Sequence, residues 1–166
     1  FYYKAYYLGK MGKADESTAA YQNANNCSPI YCFPNKLEDI AVLEDAIHQY
    51  SQGAKAYYYL GNLYYDKLQF EKATGLWEIS AGLDGSYPTV HRNLALAYYN
   101  KQNDAEKAKV ELEKAFALDE RDTRVFLELD QLYKKMGVAF ETRLQNYEAH
   151  KDILAERDDV MLEYVT

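Results

Sequence analysis

Histidine and cysteine side chains are the first candidates for metal binding or nucleophilic chemistry in this sequence. The three histidines, His48, His91 and His150, lie far apart, and none has a suitable second ligand three or four residues away. Cys27 and Cys32 form a single C-x4-C pair, whereas a zinc site needs a second pair or nearby histidines. The spacing therefore predicts no metal site, and it leaves open whether the two thiols are free or form a disulfide.

Phosphate binding and acid–base catalysis are no better supported by the residue patterns. Residues 9–13, Gly-Lys-Met-Gly-Lys, lack the spacing of a phosphate-binding loop and follow no predicted strand, so they indicate a turn between helices. The acidic pairs Glu38-Asp39 and Asp158-Asp159 lie at predicted helix starts, where carboxylates interact favourably with the helix dipole. We therefore expect no cofactor and no enzymatic activity.

The charge balance bounds the class of partner. Acidic residues outnumber basic ones by 26 to 19, which gives a formal charge of −7. Such an excess argues against binding nucleic acid or an anionic membrane. No segment approaches the roughly 18 consecutive apolar residues of a membrane-spanning helix. The sequence predicts a protein or peptide partner and leaves the cellular compartment open.

The elements that carry these side chains are predicted to be helices in repeating pairs. Only three prolines and eight glycines interrupt the chain, and apolar residues between them recur at helical spacing, so we predict an all-α fold. A first-helix pattern occurs three times, at spacings of 34 and 35 residues: Tyr57, Leu60, Gly61 and Tyr64; His91, Leu94, Ala95 and Tyr98; Phe126, Leu129, Asp130 and Tyr133. A second-helix pattern occurs twice: Ala73, Trp77 and Ser80; Ala108, Leu112 and Ala115. One extra residue within 100–104 explains the longer spacing.

Side-chain size explains the repeated pattern. Small residues at Gly61 and Ala95 allow the two helices of a pair to approach closely, and Tyr64 and Tyr98 fill the space between pairs. Asp130 breaks the small-residue rule, so we expect it either to loosen the last interface or to face a polar partner.

The pattern Tyr57-x2-Leu60-Gly61-x2-Tyr64, followed by Ala73-x3-Trp77, resembles the tetratricopeptide repeat (TPR). The resemblance implies a right-handed α-α superhelix of antiparallel helix pairs, since each pair leaves an apolar face for its neighbour. We expect a single domain, 1–166, with these parts: a hairpin at 1–25, an irregular loop and helix at 26–50, repeats at 54–86, 88–121 and 123–155, and a truncated helix at 158–166.

The irregular segment suggests a larger protein context. Two prolines within 27–34 forbid a regular helix, so one helix is missing there before a helix predicted at about 36–50. Residues 31–39, together with 42–44, resemble the C-terminal repeats of large bacterial proteins that carry an uncharacterised mutarotase-like β-sandwich domain. That resemblance implies that this chain is part of a longer bacterial protein.

The concave surface of such a solenoid is the predicted ligand groove. The groove residues are predicted to be Tyr58, Asn62, Tyr65, Arg92, Asn93, Leu96, Tyr99, Arg124, Leu127, Gln131 and Lys134. Among all positions expected to face the groove, six are basic and one is acidic: Lys10, Lys55, Arg92, Arg124, Lys134 and Lys135 against Asp66. Their sum, 6 − 1 = +5, reverses the sign of the whole protein and favours an acidic ligand.

Two functions are consistent with this reading. The first is a non-catalytic interaction module that binds a peptide or protein surface, acidic in character, in a basic groove lined by tyrosines. Some TPR proteins hold terminal carboxylates with a Lys-Asn-Asn-Lys-Arg clamp, whose places here are taken by Tyr58, Asn62, Asn93, Arg124 and Glu128. Tyr58 lacks the charge and Glu128 reverses it, so we do not expect that clamp. The alternative is a structural spacer or oligomerisation domain of a larger, carbohydrate-related bacterial protein, with self-association through its unfinished ends.

Overall fold

The computed structural model describes residues 1–29 and 32–154, and for Ile153 and Leu154 it describes the backbone only. Within this part of the chain every regular element is helical, so the predicted all-α class is confirmed. None of these helices combines the length and apolarity needed to cross a lipid bilayer. The truncated helix predicted at 158–166 lies outside the described residues.

The helices belong to two compact units, Phe1–Gly85 and Ser86–Thr166. The first unit contains α1 (Tyr2–Lys10), α2 (Ala14–Asn26), α3 (Leu37–Gln49), α4 (Ala54–Asp66) and α5 (Phe70–Leu83). The second contains α6 (Pro88–Ala97), α7 (Ala105–Leu118), α8 (Thr123–Lys135), α9 (Phe140–Ala149) and the short α10 (Lys151–Leu154). The single-domain boundary remains a prediction.

The turn inside each helix pair contains one residue in the left-handed conformation. These residues are Gly12 (φ 77°), Leu68 (φ 61°), Asn103 (φ 54°) and Gly137 (φ 77°). Glycine adopts this conformation without a steric penalty and asparagine tolerates it, whereas leucine does so at a cost. The turn at Leu68 is therefore the strained member of the set.

The extra residue of the 35-residue spacing is accommodated by a π turn. After α6 the chain continues as a π-helical segment, Tyr98–Gln102, and the Asp104 N–H donates to the Tyr98 carbonyl over 3.0 Å. A π turn is the usual way for a helix to absorb an insertion. Tyr98 itself stays buried, so the insertion leaves the packing position intact.

The proline-containing loop takes the place of the missing helix. At its end, Asp39 Oδ2 accepts hydrogen bonds from the backbone N–H groups of Asn35 (3.0 Å) and Lys36 (2.9 Å), which starts α3. Without a first helix before α3, helices α1 and α4 meet directly, and the Tyr2 ring lies edge-on to the Tyr59 ring at 5.8 Å. Both cysteines are free thiols.

Two helix pairs pack with opposite chemistry at equivalent positions. In α4–α5, a Cβ atom added at Gly61 would lie 2.5 Å from Trp77 Nε1, so the indole fits only because that position has no side chain. In α8–α9, Asp130 is buried and accepts from Arg143 Nε at 2.7 Å and Nη2 at 2.5 Å, and from the Tyr147 hydroxyl at 3.0 Å. Asp130 thus faces polar partners, the second of the two outcomes we expected.

Candidate functional site

A cleft in the second unit brings together side chains from α6 and α8. Its cavity volume is about 160 Å³. Leu96 and Tyr99 line one side, and Gln131, Leu132 and Lys135 line the other. Ala95, Asn100, Ala108, Leu112 and Glu128 complete the lining. Because Leu96, Tyr99 and Gln131 are predicted groove residues, the repeat geometry has placed three of them around one cavity.

The largest electrostatic feature beside this cleft is an ion pair. Arg92 on α6 binds the carboxylate of Glu128 on α8 through two nitrogens, and Nε donates to Glu128 Oε2 over 2.8 Å. The arginine and glutamate side chains are about one-fifth and one-quarter exposed. Arg92 is therefore already matched to a carboxylate in the folded chain, which the groove-charge count above did not include.

Counting Glu128 lowers the positive charge without changing its sign. The charged side chains along the predicted groove face of α6 and α8 are Arg92, Arg124, Lys134 and Lys135 against Glu128, a net of 4 − 1 = +3. Arg124 and Lys134 are exposed. Lys135 Nζ lies 4.9 Å from the centre of the Tyr99 ring, a cation–π geometry. The cleft lining itself thus contains aromatic surface with one cation and one anion, Lys135 and Glu128, and the other positive side chains lie outside the lining on the same two helices.

Two predicted groove residues of this unit lie elsewhere or are only partly available. Leu127 is partly buried and packs against the buried cluster of Phe126 on α8 and Tyr147 on α9. Asn93 is half-buried on α6. Both side chains are therefore only partly available to a ligand.

In the first unit the structure corrects one prediction and modifies two. Tyr58 is only 5% exposed, so it packs in the interior and does not face a groove. The Tyr58 ring lies 5.5 Å from that of Tyr59, its neighbour on α4. Asn62 Oδ1 accepts from Trp77 Nε1 at 3.0 Å.

Tyr65 and Lys55 are also held by their own unit. The Tyr65 ring packs at 5.2 Å from the Trp77 ring and 4.9 Å from Phe70. Lys55 Nζ donates to the Cys27 carbonyl over 2.5 Å, which fixes the start of the irregular loop. One predicted groove cation therefore stabilises the loop.

Comparison with known proteins places these helix pairs in a recognised architecture. No protein-family model matches the sequence. Solved structures do match the fold: YrrB, described as "a TPR protein with an unusual peptide-binding site", superposes with a TM-score of 0.63 and 18% identity over 96% of this chain and 70% of that one. The fold is therefore that of a TPR protein.

Two further solved structures have the same TPR fold. MamA (residues 41 to the end) from Desulfovibrio magneticus RS-1 has a TM-score of 0.59 and 15% identity, covering 95% of each chain. The first TPR domain of Spaghetti (RPAP3), solved bound to the HSP90 peptide SRMEEVD, has a TM-score of 0.55 and 16% identity over 81% of this chain and 88% of that one. The TPR resemblance of the sequence is thus confirmed at the level of fold, and the larger bacterial context stays a prediction.

Proposed function

We propose that this chain is a protein-interaction module that binds an acidic peptide segment at the cleft between α6 and α8. The observation that carries the proposal is the set of charges there. The charged side chains on the predicted groove face of α6 and α8 sum to +3 in a chain whose formal charge is −7, and the cleft on that face has aromatic and aliphatic walls whose own charges, Glu128 and Lys135, balance. Tyrosine and arginine commonly anchor interfaces because they combine a large contact area with a fixed polar tip.

The Arg92–Glu128 pair supports a carboxylate ligand. An arginine guanidinium binds a carboxylate in a two-pronged geometry, and Glu128 already occupies that geometry on Arg92. Glu128 would therefore compete with a ligand carboxylate for the same guanidinium. Arg124 lies one helical turn before Glu128 on α8. It is exposed, so it offers a second contact for an acidic segment.

Two structural neighbours favour a peptide as the ligand. One is described as having an unusual peptide-binding site and another is solved with the HSP90 peptide SRMEEVD, which contains three acidic residues. The amides of Asn100 and Gln131 beside this cleft suit hydrogen bonding to an extended peptide backbone. The departures at Tyr58 and Glu128 argue against the chaperone-tail clamp itself.

The direct test is a binding panel of fluorescent heptapeptides with acidic, neutral or basic composition, each with a free and an amidated C-terminus. Acidic peptides should bind best, and Arg124→Glu should weaken them by at least tenfold, since a like charge then faces the ligand. Arg121→Glu makes the same charge change at a position that is not on the predicted groove face and serves as the matched control. Equal binding of acidic and basic peptides would refute the proposal.

Glu128→Gln sharpens the test. The substitution removes the competing carboxylate and leaves Arg92 free for the ligand, so acidic peptides should bind several-fold more tightly. Weaker binding in this variant would show that Glu128 holds Arg92 in place for another purpose. The alternative role as a spacer or self-associating domain stays a prediction, and light scattering of the chain at increasing concentration tests it.

A further inference from the structure

A second cavity of the second unit lies on the other side of α8. Its volume is about 280 Å³, and residues of α7, α8 and the end of α9 line it. On α8 the lining residues Phe126, Leu129 and Tyr133 repeat at intervals of three and four, as one face of a helix requires. The α6–α8 cleft uses a different set, Glu128, Gln131 and Lys135. The two cavities therefore occupy separate faces of one helix.

Aromatic rings form much of the wall of this second cavity. The Phe116 ring lies 5.5 Å from the Phe126 ring, and the His150 ring lies 5.0 Å from Phe116 and 5.6 Å from Phe126. His150 Nδ1 is 2.8 Å from the Asn146 carbonyl, which can only accept, so this nitrogen carries a proton. That hydrogen bond fixes the orientation of the ring against its two neighbours.

Apart from His150, the described charged side chains that line this cavity are all carboxylates. The acids are Glu113, Glu120 and Asp130, and neither lysine nor arginine is among the described residues that line the cavity. Asp130 is neutralised by its ion pair with Arg143. Glu113 Oε1 accepts from the Tyr133 hydroxyl at 2.9 Å, and Glu120 is exposed at the rim. Two carboxylates, with no lysine or arginine among the described lining residues, therefore border an aromatic cavity.

Aromatic rings with carboxylates at the rim are the combination of groups that binds an organic cation. The faces of aromatic rings attract a cation through their quadrupole, and nearby carboxylates add a Coulombic term. We propose that this aromatic–acid cavity binds an organic cation, either a quaternary ammonium group or the guanidinium of an arginine side chain. At about 280 Å³ it lies near the lower limit of roughly 300 Å³ for ligand pockets, so a single small headgroup or side chain fits it.

The proposal goes beyond the acidic-peptide cleft, since the two sites select opposite charges on opposite faces of α8. It also gives a role to Phe116, Glu120 and His150, which are not part of the repeat pattern. A cation held there would contact α7, α8 and the end of α9 together. Binding should therefore protect the amides of these helices from hydrogen exchange.

The experiment uses the whole chain at pH 8, where an unperturbed imidazole is neutral, and at constant ionic strength. Choline and L-arginine amide are titrated separately while the backbone amide and His150 ring resonances are followed by NMR. The control ligand is 3,3-dimethylbutan-1-ol, which has the shape of choline without its charge. At least one of the two cations should shift the cavity resonances saturably, whereas the neutral alcohol should not.

The cation that binds more tightly identifies which of the two kinds of ligand the cavity prefers. Tighter binding of choline indicates a quaternary ammonium ligand, and tighter binding of arginine amide indicates an arginine side chain. Equal shifts with choline and its neutral analogue would overturn the proposal, as would the absence of saturable shifts with both cations.

Matched variants locate the binding. Glu120→Gln should weaken cation binding by about three- to tenfold, because it removes an exposed carboxylate at the rim. Glu106→Gln makes the same charge change on α7 outside the cavity and should leave binding unchanged. Phe116→Leu removes a ring and should weaken binding further, with circular dichroism used to check its fold. Unchanged cation affinity in both Glu120→Gln and Phe116→Leu would refute the site.

Discussion

Helix pairs α4–α5 and α8–α9 fill equivalent positions with opposite chemistry. Gly61, Ala73 and Trp77 of the first pair correspond to Asp130, Arg143 and Tyr147 of the second, at spacings of 69 and 70 residues. In α4–α5, Gly61 has no side chain, which leaves room for the Trp77 indole, and that side chain is only 3% exposed. In α8–α9 both small residues are replaced by larger ones, which form a buried ion pair.

The comparison shows that the repeat requires matched volumes and satisfied polar atoms, and that it does not require particular residues. Burying the tryptophan is favourable, and its Nε1 donates to Asn62 Oδ1 at 3.0 Å and to the Tyr58 carbonyl at 3.3 Å. The Asp130–Arg143 pair gains Coulomb energy that is offset by desolvation, so its net contribution is small while both partners remain. Removing one partner would lower the stability strongly, because the other charge would remain buried without its counter-ion.

The largest effect is expected from breaking the ion pair. Arg143→Met keeps the volume of the side chain but leaves Asp130 buried without its counter-ion, so the unfolding free energy of α8–α9 should fall by about 3–5 kcal/mol. Hydrogen exchange of the amides in these two helices measures this locally, which matters because the chain has two compact units and global two-state unfolding cannot be assumed.

The double variant Asp130→Ala with Arg143→Met tests the reason for that loss. It removes the stranded carboxylate and restores the small residue found at Ala95, so most of the stability should return. If the double variant were as unstable as the single one, the ion pair would be essential to the packing and the equivalence with α4–α5 would fail.

The next effect comes from closing the space at Gly61. Gly61→Ala places a Cβ atom 2.5 Å from Trp77 Nε1 and 2.6 Å from Cδ1, so we expect a loss of about 1–3 kcal/mol through displacement of the ring. Trp77 fluorescence and urea unfolding measure this. The loss should shrink in a Trp77→Leu background, which reproduces the Ala95 and Leu112 combination.

Gly75→Ala is the matched control for Gly61→Ala. Gly75 lies inside α5 and a Cβ atom there meets nothing within 4 Å. Alanine should therefore stabilise the helix by about 0.5–1 kcal/mol through backbone entropy and helix propensity. A destabilising effect at Gly75 would mean that the two positions differ for a reason other than the space beside Trp77.

The turns of the two pairs give a smaller effect of opposite sign. Leu68→Gly removes a strained left-handed residue from the α4–α5 turn and should stabilise by about 1 kcal/mol, since the Leu68 side chain is 74% exposed and loses little contact. Gly137→Ala introduces that strain into the α8–α9 turn and should cost about the same. Thermal melts of both variants check the signs of the two stability changes. The stability change of Asn103→Gly should lie between them.

The smallest effect concerns pH and extends the comparison to α6–α7, where His91 replaces the aromatic residue of the other pairs. Burial would raise the pKa of Glu111, but hydrogen bonds from His91 (2.6 Å) and Lys114 (2.7 Å) outweigh it and hold the pKa below the ordinary value of 4.5. A lowered carboxyl pKa stabilises the fold above the unfolded-state value, and this stability is lost as the pH falls through the folded-state value.

Glu111→Gln should therefore flatten the acid side of the stability–pH curve below about pH 4.5. Urea unfolding of both proteins between pH 3 and 7 measures this. An unchanged acid limb would show that Glu111 has the same pKa in the folded and unfolded states.

Several features of the fold followed from the sequence because they depend on short-range periodicity. The helical spacing of apolar residues predicted the all-α class, and the recurrence from Tyr57 to Phe126 predicted the repeat. The insertion near Asn100 appeared as one extra residue in the spacing, and the structure accommodates it as a π turn. These predictions required only that side chains on one face of a helix recur every three or four residues.

The candidate site was less predictable because its charge depends on contacts across the fold. Leu96, Tyr99 and Gln131, which helix geometry predicted to face the groove, line one cavity, and their role in binding stays a prediction. Helix geometry missed the pairing of Arg92 with Glu128, 36 residues away, and it placed Tyr58 on the surface although that side chain is buried. Helix geometry also did not reveal that Leu127 is partly buried against the core cluster that α9 completes with Tyr147.

The sequence alone determined which residues are small, apolar or charged at each repeat position, and hence that the chain forms stacked helix pairs. The tertiary structure decided how each departure from the pattern is resolved. Asp130 became half of a buried ion pair, the insertion became a π turn, and the missing helix brought Tyr2 against Tyr59. The physical reason is range: periodicity acts within a few turns of one helix, whereas charge compensation and burial depend on residues from other helices that only the folded chain brings together.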